Sequence, residues 1–336
     1  MWPRPSGWED PLPSDKSIES VTQIPGIYAA HATNGAAGTG CTVICCPSGA
    51  TGGVDVRGGA PATRETDLLR PEETVDVLHA VVLSGGSAYG LAAACGVAEE
   101  LERRGVGLDV GVAKVPIVSG ACLFDLACGC PSVRPTAEDG RAACVAALDG
   151  DGAPLARGNV GAGAGCTVGK LAGPERAMKS GLGEDVERAG ELVCGAVAAV
   201  NACGDVLDPD TGEKIAGVRT PDGSAIADTV EVLLGGYAKM PLARTNTTIS
   251  CVVTNARLTK AQATKVAQMS ADAYAHAISP THTTNDGDTV FVMATGEVEA
   301  PVDVVGALAT RALGRAIADG AHQAVGAYGY PAAADL

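Results

Sequence analysis

Arg244-Thr245-Asn246-Thr247-Thr248-Ile249-Ser250 is the stretch on which the reading of the fold turns. It joins an irregular run, Gly235-Gly236-Tyr237-Ala238-Lys239-Met240-Pro241, to an apolar, strand-like one that holds Ile249, Cys251, Val252 and Val253. A hydroxyl residue at such a junction becomes a chain terminus if the backbone is cut before it. Its hydroxyl is then a nucleophile and its new α-amine a base, two catalytic parts in one residue. An α-amine titrates near ~7.7–8.0, so a useful fraction is neutral around physiological pH. The plainer reading of the same letters is a capped turn before a strand, because Asn and Thr favour turns.

Downstream lies His282-Thr283-Thr284-Asn285-Asp286-Gly287-Asp288-Thr289-Val290-Phe291-Val292-Met293. In an extended chain, residues two apart share a face, so Asp286 and Asp288 point together. Gly287 between them admits another backbone closely. Paired carboxylates can orient a hydroxyl or hold an ammonium; a solvated Asp-Gly turn is the competing reading. A calcium loop is excluded, since its other oxygen ligands and closing Glu are missing.

Two further segments bear on the same chemistry. Gly158-Asn159-Val160-Gly161-Ala162-Gly163-Ala164-Gly165-Cys166-Thr167-Val168-Gly169-Lys170 is neither a phosphate loop nor a dinucleotide fingerprint: no Ser or Thr follows the lysine, and Cys166 occupies the last glycine position. Lys170 is either a charge near a nucleophile or a solvated lysine. The long apolar run 191–200 ends in Asn201, a candidate oxyanion donor or a turn residue.

Taken together these segments resemble the self-cleaving N-terminal-nucleophile hydrolases that include the L-aminopeptidase/D-esterase, the β-aminopeptidases and the nylon-oligomer (6-aminohexanoate oligomer) endohydrolase. Val54-Asp55-Val56-Arg57-Gly58-Gly59-Ala60-Pro61, Thr63-Arg64-Glu65-Thr66-Asp67, Leu83-Ser84-Gly85-Gly86-Ser87-Ala88-Tyr89-Gly90-Leu91, Val115-Pro116-Ile117-Val118 and Phe124-Asp125-Leu126 extend the likeness over most of residues 26–326. The resemblance implies a four-layer α/β/β/α sandwich and autocleavage between Asn246 and Thr247. It implies Thr247 as nucleophile, Asn201 as oxyanion donor, Lys170 beside the nucleophile, and Asp286 and Asp288 as the orienting pair. The threonine and the aspartate pair lean toward the nylon-oligomer hydrolase. Phe124 stands where these enzymes carry a tyrosine, which removes a hydroxyl from the substrate pocket. The resemblance further implies a homotetramer, a dimer of dimers, acting on a small amide or short oligomer without a cofactor.

Composition sets bounds. At 336 residues with 46% apolar side chains the chain can bury a large core; 45 glycines and 3% aromatics mean that core relies on close approach of small residues. A formal charge of −15 argues against a nucleic-acid partner. Twelve cysteines fall largely inside apolar runs such as Cys45-Cys46, Cys194 and Cys251, where free cysteine acts as a small hydrophobe. With no apolar h-region at the start, a reducing, cytoplasmic setting is expected. No metal site is expected, since Cys128-Gly129-Cys130 lacks a matching pair, and no membrane span, for want of a long apolar stretch.

The layout alternates strand and helix, an α/β pattern. Residues 1–25 read as an arm, 26–336 as one hydrolase domain cut into a large chain 1–246 and a small chain 247–336, and 235–246 as the linker. Strands are expected at 41–46, 53–57, 115–119, 191–200, 249–254 and 289–295, and helices at 71–80, 88–104, 137–148, 224–234, 260–278 and 302–318. Thr248 and Ser250 are the alternative nucleophiles, by adjacency. An acyltransferase of the ornithine acetyltransferase type and a scaffold that never cleaves are the other function classes; an amine acceptor separates the first, an intact inactive chain the second.

Overall fold

The computed structural model describes residues 19–150, 152–236 and 246–336; most of the expected arm and linker lie outside them. The strands that matter are β1 (Tyr28–Asn34), β2 (Thr39–Val56), β3 (Leu78–Ser84), β4 (Val118–Cys122), β5 (Leu182–Ala189), β6 (Leu192–Asn201), β7 (Thr247–Ala256) and β8 (Thr289–Val298). The helices are α1 (Ala93–Arg103), α2 (Ala137–Asp149), α3 (Thr229–Gly236), α4 (Lys260–Ser270), α5 (Asp272–Ala277) and α6 (Val302–His322).

Strands run in the order β5-β6-β7-β8-β2-β3-β4, with β1 also on β2. The first part of β2 pairs with β1 and β3, while its last residues, Thr51 to Val56, pair with β8. Between these halves the register shifts at Pro47-Ser48-Gly49, where Gly49 has φ +85. One long strand thereby serves two stacked sheets.

Alternation along the strands shows the layers directly. Ile249, Cys251 and Val253 of β7, Phe291 and Met293 of β8, and Ile44 and Val81 share one buried cluster, the space between the sheets. Val252, Val290 and Val292 face the other way, into a cluster with Val266, Tyr274 and Leu313 from α4, α5 and α6. Val43, Cys45 and Val82 pack on α1 and α2 through Val97, Leu101 and Cys144. Three interfaces make four layers, α/β/β/α, as expected.

Small residues let the layers touch. A Cβ on Gly53 would lie 2.4 Å from the Ala263 carbonyl carbon of α4, and one on Gly183 would lie 2.1 Å from the Ala316 oxygen of α6. All twelve cysteines are free.

Several elements differ from expectation. Residues 71–77 are turn and coil, and β3 begins at Leu78, so the expected helix 71–80 is absent. Strands at 41–46 and 53–57 are the two halves of β2. The helix from Ala88 opens as a 3-10 turn, Ser87–Ala92, before α1. Within it Glu100 pairs with Arg103 and Arg104, while Glu99 reaches Arg141 of α2. Helix 260–278 is broken at Ala271 into α4 and α5, although its Thr259 cap is present, accepting from Gln262 N. Within the expected arm, Val21 and Ile24 are buried between the sheets, and Ser20 Oγ and Val21 N donate to Glu184.

Candidate active site

Thr247 is the first residue of β7 and Asn201 the last of β6, and the antiparallel register sets them opposite each other. Two-residue periodicity puts Thr247 on the face of Ile249, Cys251 and Val253, at the end of the inter-sheet core. Thr248 and Ser250 fall on the other face. Ser250 Oγ is 2.9 Å from Tyr274 Oη of α5, under the helices. The alternative nucleophiles are therefore turned away from the residues gathered around Thr247.

Asn201 is fully buried and pinned from three sides. Its Oδ1 accepts from Thr167 N at 3.1 Å and Lys170 Nζ at 2.8 Å, and its Nδ2 donates to the Phe124 carbonyl at 2.9 Å. A primary amide with its oxygen held by two donors cannot flip, so its N–H direction is fixed. Lys170 Nζ also donates to the Asn201 carbonyl at 2.9 Å. The glycine-rich segment that carries Lys170 is tied down by the buried ammonium of Lys179, which donates to the carbonyls of Gly163, Cys166 and Ser180.

β8 runs parallel to β7, with Ile249 opposite Thr289, and this brings the aspartates to the same end of the sheet. Asp288 Oδ1 accepts from Thr248 N at 2.8 Å. Asp286 accepts from Thr283 N at 2.8 Å and Thr283 Oγ1 at 2.5 Å. Gly287 lies under Thr247: a Cβ there would be 2.8 Å from Thr247 Oγ1. The turn that carries all three packs on 57–60, where Arg57 N and Gly58 N donate to the Asp288 carbonyl and Ala60 N to that of Asp286. A Cβ on Gly58 would strike the Asp286 carbonyl oxygen at 2.4 Å, which explains the glycine in the Arg57-Gly58-Gly59-Ala60 run.

Burial, then the charge of Asp288, pushes the Asp286 carboxyl up to about 6, against its Thr283 hydrogen bonds and Lys170. Burial lowers the Lys170 ammonium to about 8, only partly offset by Cys203, Cys166 and Asp286. In the intact chain Thr247 Oγ1 donates to the carbonyl of Asn246, the residue before it. Beside Asn201 opens a cavity of about 280 Å³, walled by Phe124, Ala127, Leu171, Pro174 and Tyr330, with Lys170 and Thr167 on its lining. Asp125 also lines it, but its carboxylate accepts from Thr39 Oγ1 at 2.6 Å and Gly86 N at 2.7 Å.

Every residue singled out in the sequence, Thr247, Asn201, Lys170, Asp286, Asp288 and Phe124, is thus gathered at one end of the central strands. Sequence reading missed Thr167, Thr283, His282, Tyr274 and Tyr330 as neighbours. Thr283 alone left a signal, a hydroxyl three residues before Asp286 in a turn.

The layered fold is the sandwich of the N-terminal-nucleophile hydrolase type. The chain belongs to peptidase family S58, whose profile matches residues 19–328, and is a hydrolase acting on amide bonds. It is 44% identical to an uncharacterized aminopeptidase of Mycobacterium leprae, over 84% of this chain and 80% of that one. It is 32% identical to the 6-aminohexanoate-oligomer endohydrolase of Kocuria sp., over 83% of this chain and 75% of that one. Among solved structures, the L-aminopeptidase D-Ala-esterase/amidase of Ochrobactrum anthropi, described as a variant of the Ntn hydrolase fold, superposes with a TM-score of 0.63 at 16% identity, covering 91% of this chain and 86% of that one.

Proposed function

We propose that the chain cuts itself between Asn246 and Thr247 and then hydrolyses amides with Thr247 as an N-terminal nucleophile. The observation that carries this reading is the Thr247 hydroxyl, seated over Gly287 and against the Asn246 carbonyl. Attack of Oγ1 on the Asn246 carbonyl carbon, with the hydroxyl proton passing to the departing Thr247 nitrogen, gives an ester and frees the α-amine; water then cleaves the ester, releasing the Asn246 carboxylate and restoring the Thr247 hydroxyl. In turnover that amine takes the hydroxyl proton as Oγ1 attacks the substrate carbonyl. The Asn201 amide steadies the oxyanion, and the proton passes to the departing amine. Water then releases the acyl group.

For the substrate we propose an unbranched aliphatic amide, a nylon-type 6-aminohexanoate oligomer or a related β- or ω-amino-acid amide. The cavity beside Asn201 is walled mainly by apolar side chains, and the one carboxylate among the described residues that line it, Asp125, is already engaged, so it suits a methylene chain better than an α-ammonium. The kinship to the Kocuria endohydrolase supports this choice. An aminopeptidase acting on short peptides is the second reading, supported by the name of the M. leprae relative.

Intact mass under denaturing conditions tests the first step: two fragments, the smaller starting at Thr247, are expected. Thr247→Ala is expected to stay one inactive chain, and normal cleavage of that variant would remove Thr247 from the mechanism. Aminohexanoate oligomers set against α-aminoacyl amides then decide the substrate class.

A further inference from the structure

We propose that His282 is a positioning residue that fixes the Asp288 carboxylate to receive the α-ammonium of Thr247. This rests on the reading of Thr247 as nucleophile.

The Asp288 carboxylate accepts four hydrogen bonds from the described residues, and His282 supplies two of them. Oδ2 accepts from His282 N at 3.0 Å, from His282 Nδ1 at 2.9 Å and from Thr281 Oγ1 at 3.2 Å. Oδ1 is left to Thr248 N, one residue beyond the nucleophile. With Oδ2 occupied from the turn, Oδ1 is the oxygen turned toward the start of β7. The imidazole meets the Asp288 carboxylate, which only accepts, with Nδ1, so Nδ1 carries a hydrogen. Nε2 is buried without a hydrogen-bond partner among the described residues, so the ring makes its side-chain hydrogen bond through Nδ1 alone.

Two further observations show the ring is held there. His282 has φ +54, a left-handed conformation that glycine and asparagine adopt with less cost than an aromatic residue. Its ring stacks on Tyr274, centroids 5.2 Å apart and planes 29° apart. Tyr274 Oη, with one hydrogen to give, lies within hydrogen-bond reach of the carbonyls of Thr248 at 3.1 Å and Thr289 at 3.2 Å, between the starts of β7 and β8 behind the aspartate. The stack thus sets where the ring stands, and the ring sets where Oδ2 stands.

In self-cleavage the Thr247 hydroxyl proton moves to the Thr247 nitrogen, which becomes ammonium-like as its bond to Asn246 breaks; in turnover it moves to the freed α-amine, making an ammonium. A carboxylate already oriented at that end of β7 stabilises it without reorganising. The proton later goes to the leaving amine, and Asp288 keeps its charge throughout.

Three variants test this, with self-cleavage followed by denaturing mass spectrometry during cell-free synthesis. His282→Asn keeps a donor near the Nδ1 position and suits φ > 0. His282→Gly suits the backbone but has no donor. His282→Phe keeps the stack on Tyr274 but has no donor. The Gly and Phe variants are expected to cleave about 10–100-fold more slowly than wild type, the worth of one hydrogen bond to a charged group, and Asn to recover most of the rate. A purely structural His282 would instead give rates that follow Tm, with Phe as fast as Asn; that result, or wild-type rates in all three, overturns the proposal. A wild-type chain that never splits overturns the reading of Thr247 itself, and the role of His282 falls with it.

Discussion

Asn201 shows how a single side chain is made directional. Thr167 N and Lys170 Nζ hold its oxygen and the Phe124 carbonyl takes one N–H, so its amide faces one way before substrate arrives. Asn201→Ala is expected to lower kcat about 10²–10³-fold, the cost of losing one oxyanion donor, with the chain still folded. Fragments and melting temperature like wild type, with kcat unchanged, would assign the oxyanion elsewhere. The two shifted groups predict the pH dependence. Asp286 ionises through about 6, and the α-amine must also lose a proton to act as base, so activity rises with pH on the acid side. Lys170 loses its charge through about 8, weakening its hydrogen bond to the Asn201 oxygen, so activity falls above that value. In Lys170→Met the alkaline limb is expected to disappear from the kcat profile while the acid limb remains; an unchanged alkaline limb would clear Lys170 of that role.

At the scale of elements, β6, β7 and β8 were legible because both faces are buried and the letters run apolar for most of their length. β3 has the same character, but Pro71-Glu72-Glu73-Thr74 before it looks like a helix start, and the strand beginning at Leu78 was absorbed into that helix. β5 was hidden by Glu184, Asp185 and Glu187, which read as a surface; Glu184 in fact caps the turn at Ser20 and Val21 from a buried position. The junctions at Thr247 and Asp288 were legible as motifs. Tyr274 and His282 were not, because their meeting depends on how α5 packs under the strands, which periodicity does not encode. Glycine at 53 belongs to this scale: α4 lies directly on it. Gly53→Ala is expected to cost about 1–3 kcal/mol by overpacking, lowering Tm by a few degrees. A thermal melt with Tm equal to wild type would mean that α4 moves aside freely.

The whole molecule bears on what self-cleavage would do to it. A cut before Thr247 would leave 247–336 as a separate chain supplying β7, α4, α5, β8 and α6. β7 would then pair with β6 of the large chain from Thr254 opposite Cys194 to Thr247 opposite Asn201, and β8 would pair with β2 from Thr289 to Ala294. The two middle strands of one sheet would thus come from the small chain, flanked on both sides by the large one. The core beneath them is shared as well, since Cys194, Ala196 and Val200 pack with Val252, Tyr274, Leu313 and Ile317. Separating the chains would expose that surface and strip hydrogen bonds from two strand edges, which nothing in the cut itself offsets. The cleaved protein is therefore expected to run as one species in native mass spectrometry and as two under denaturing conditions, with a single cooperative melt. Dissociation of the small chain on simple dilution would show that the shared core contributes far less than its burial implies. It would also place the working enzyme in some assembly other than the fold described for the intact chain.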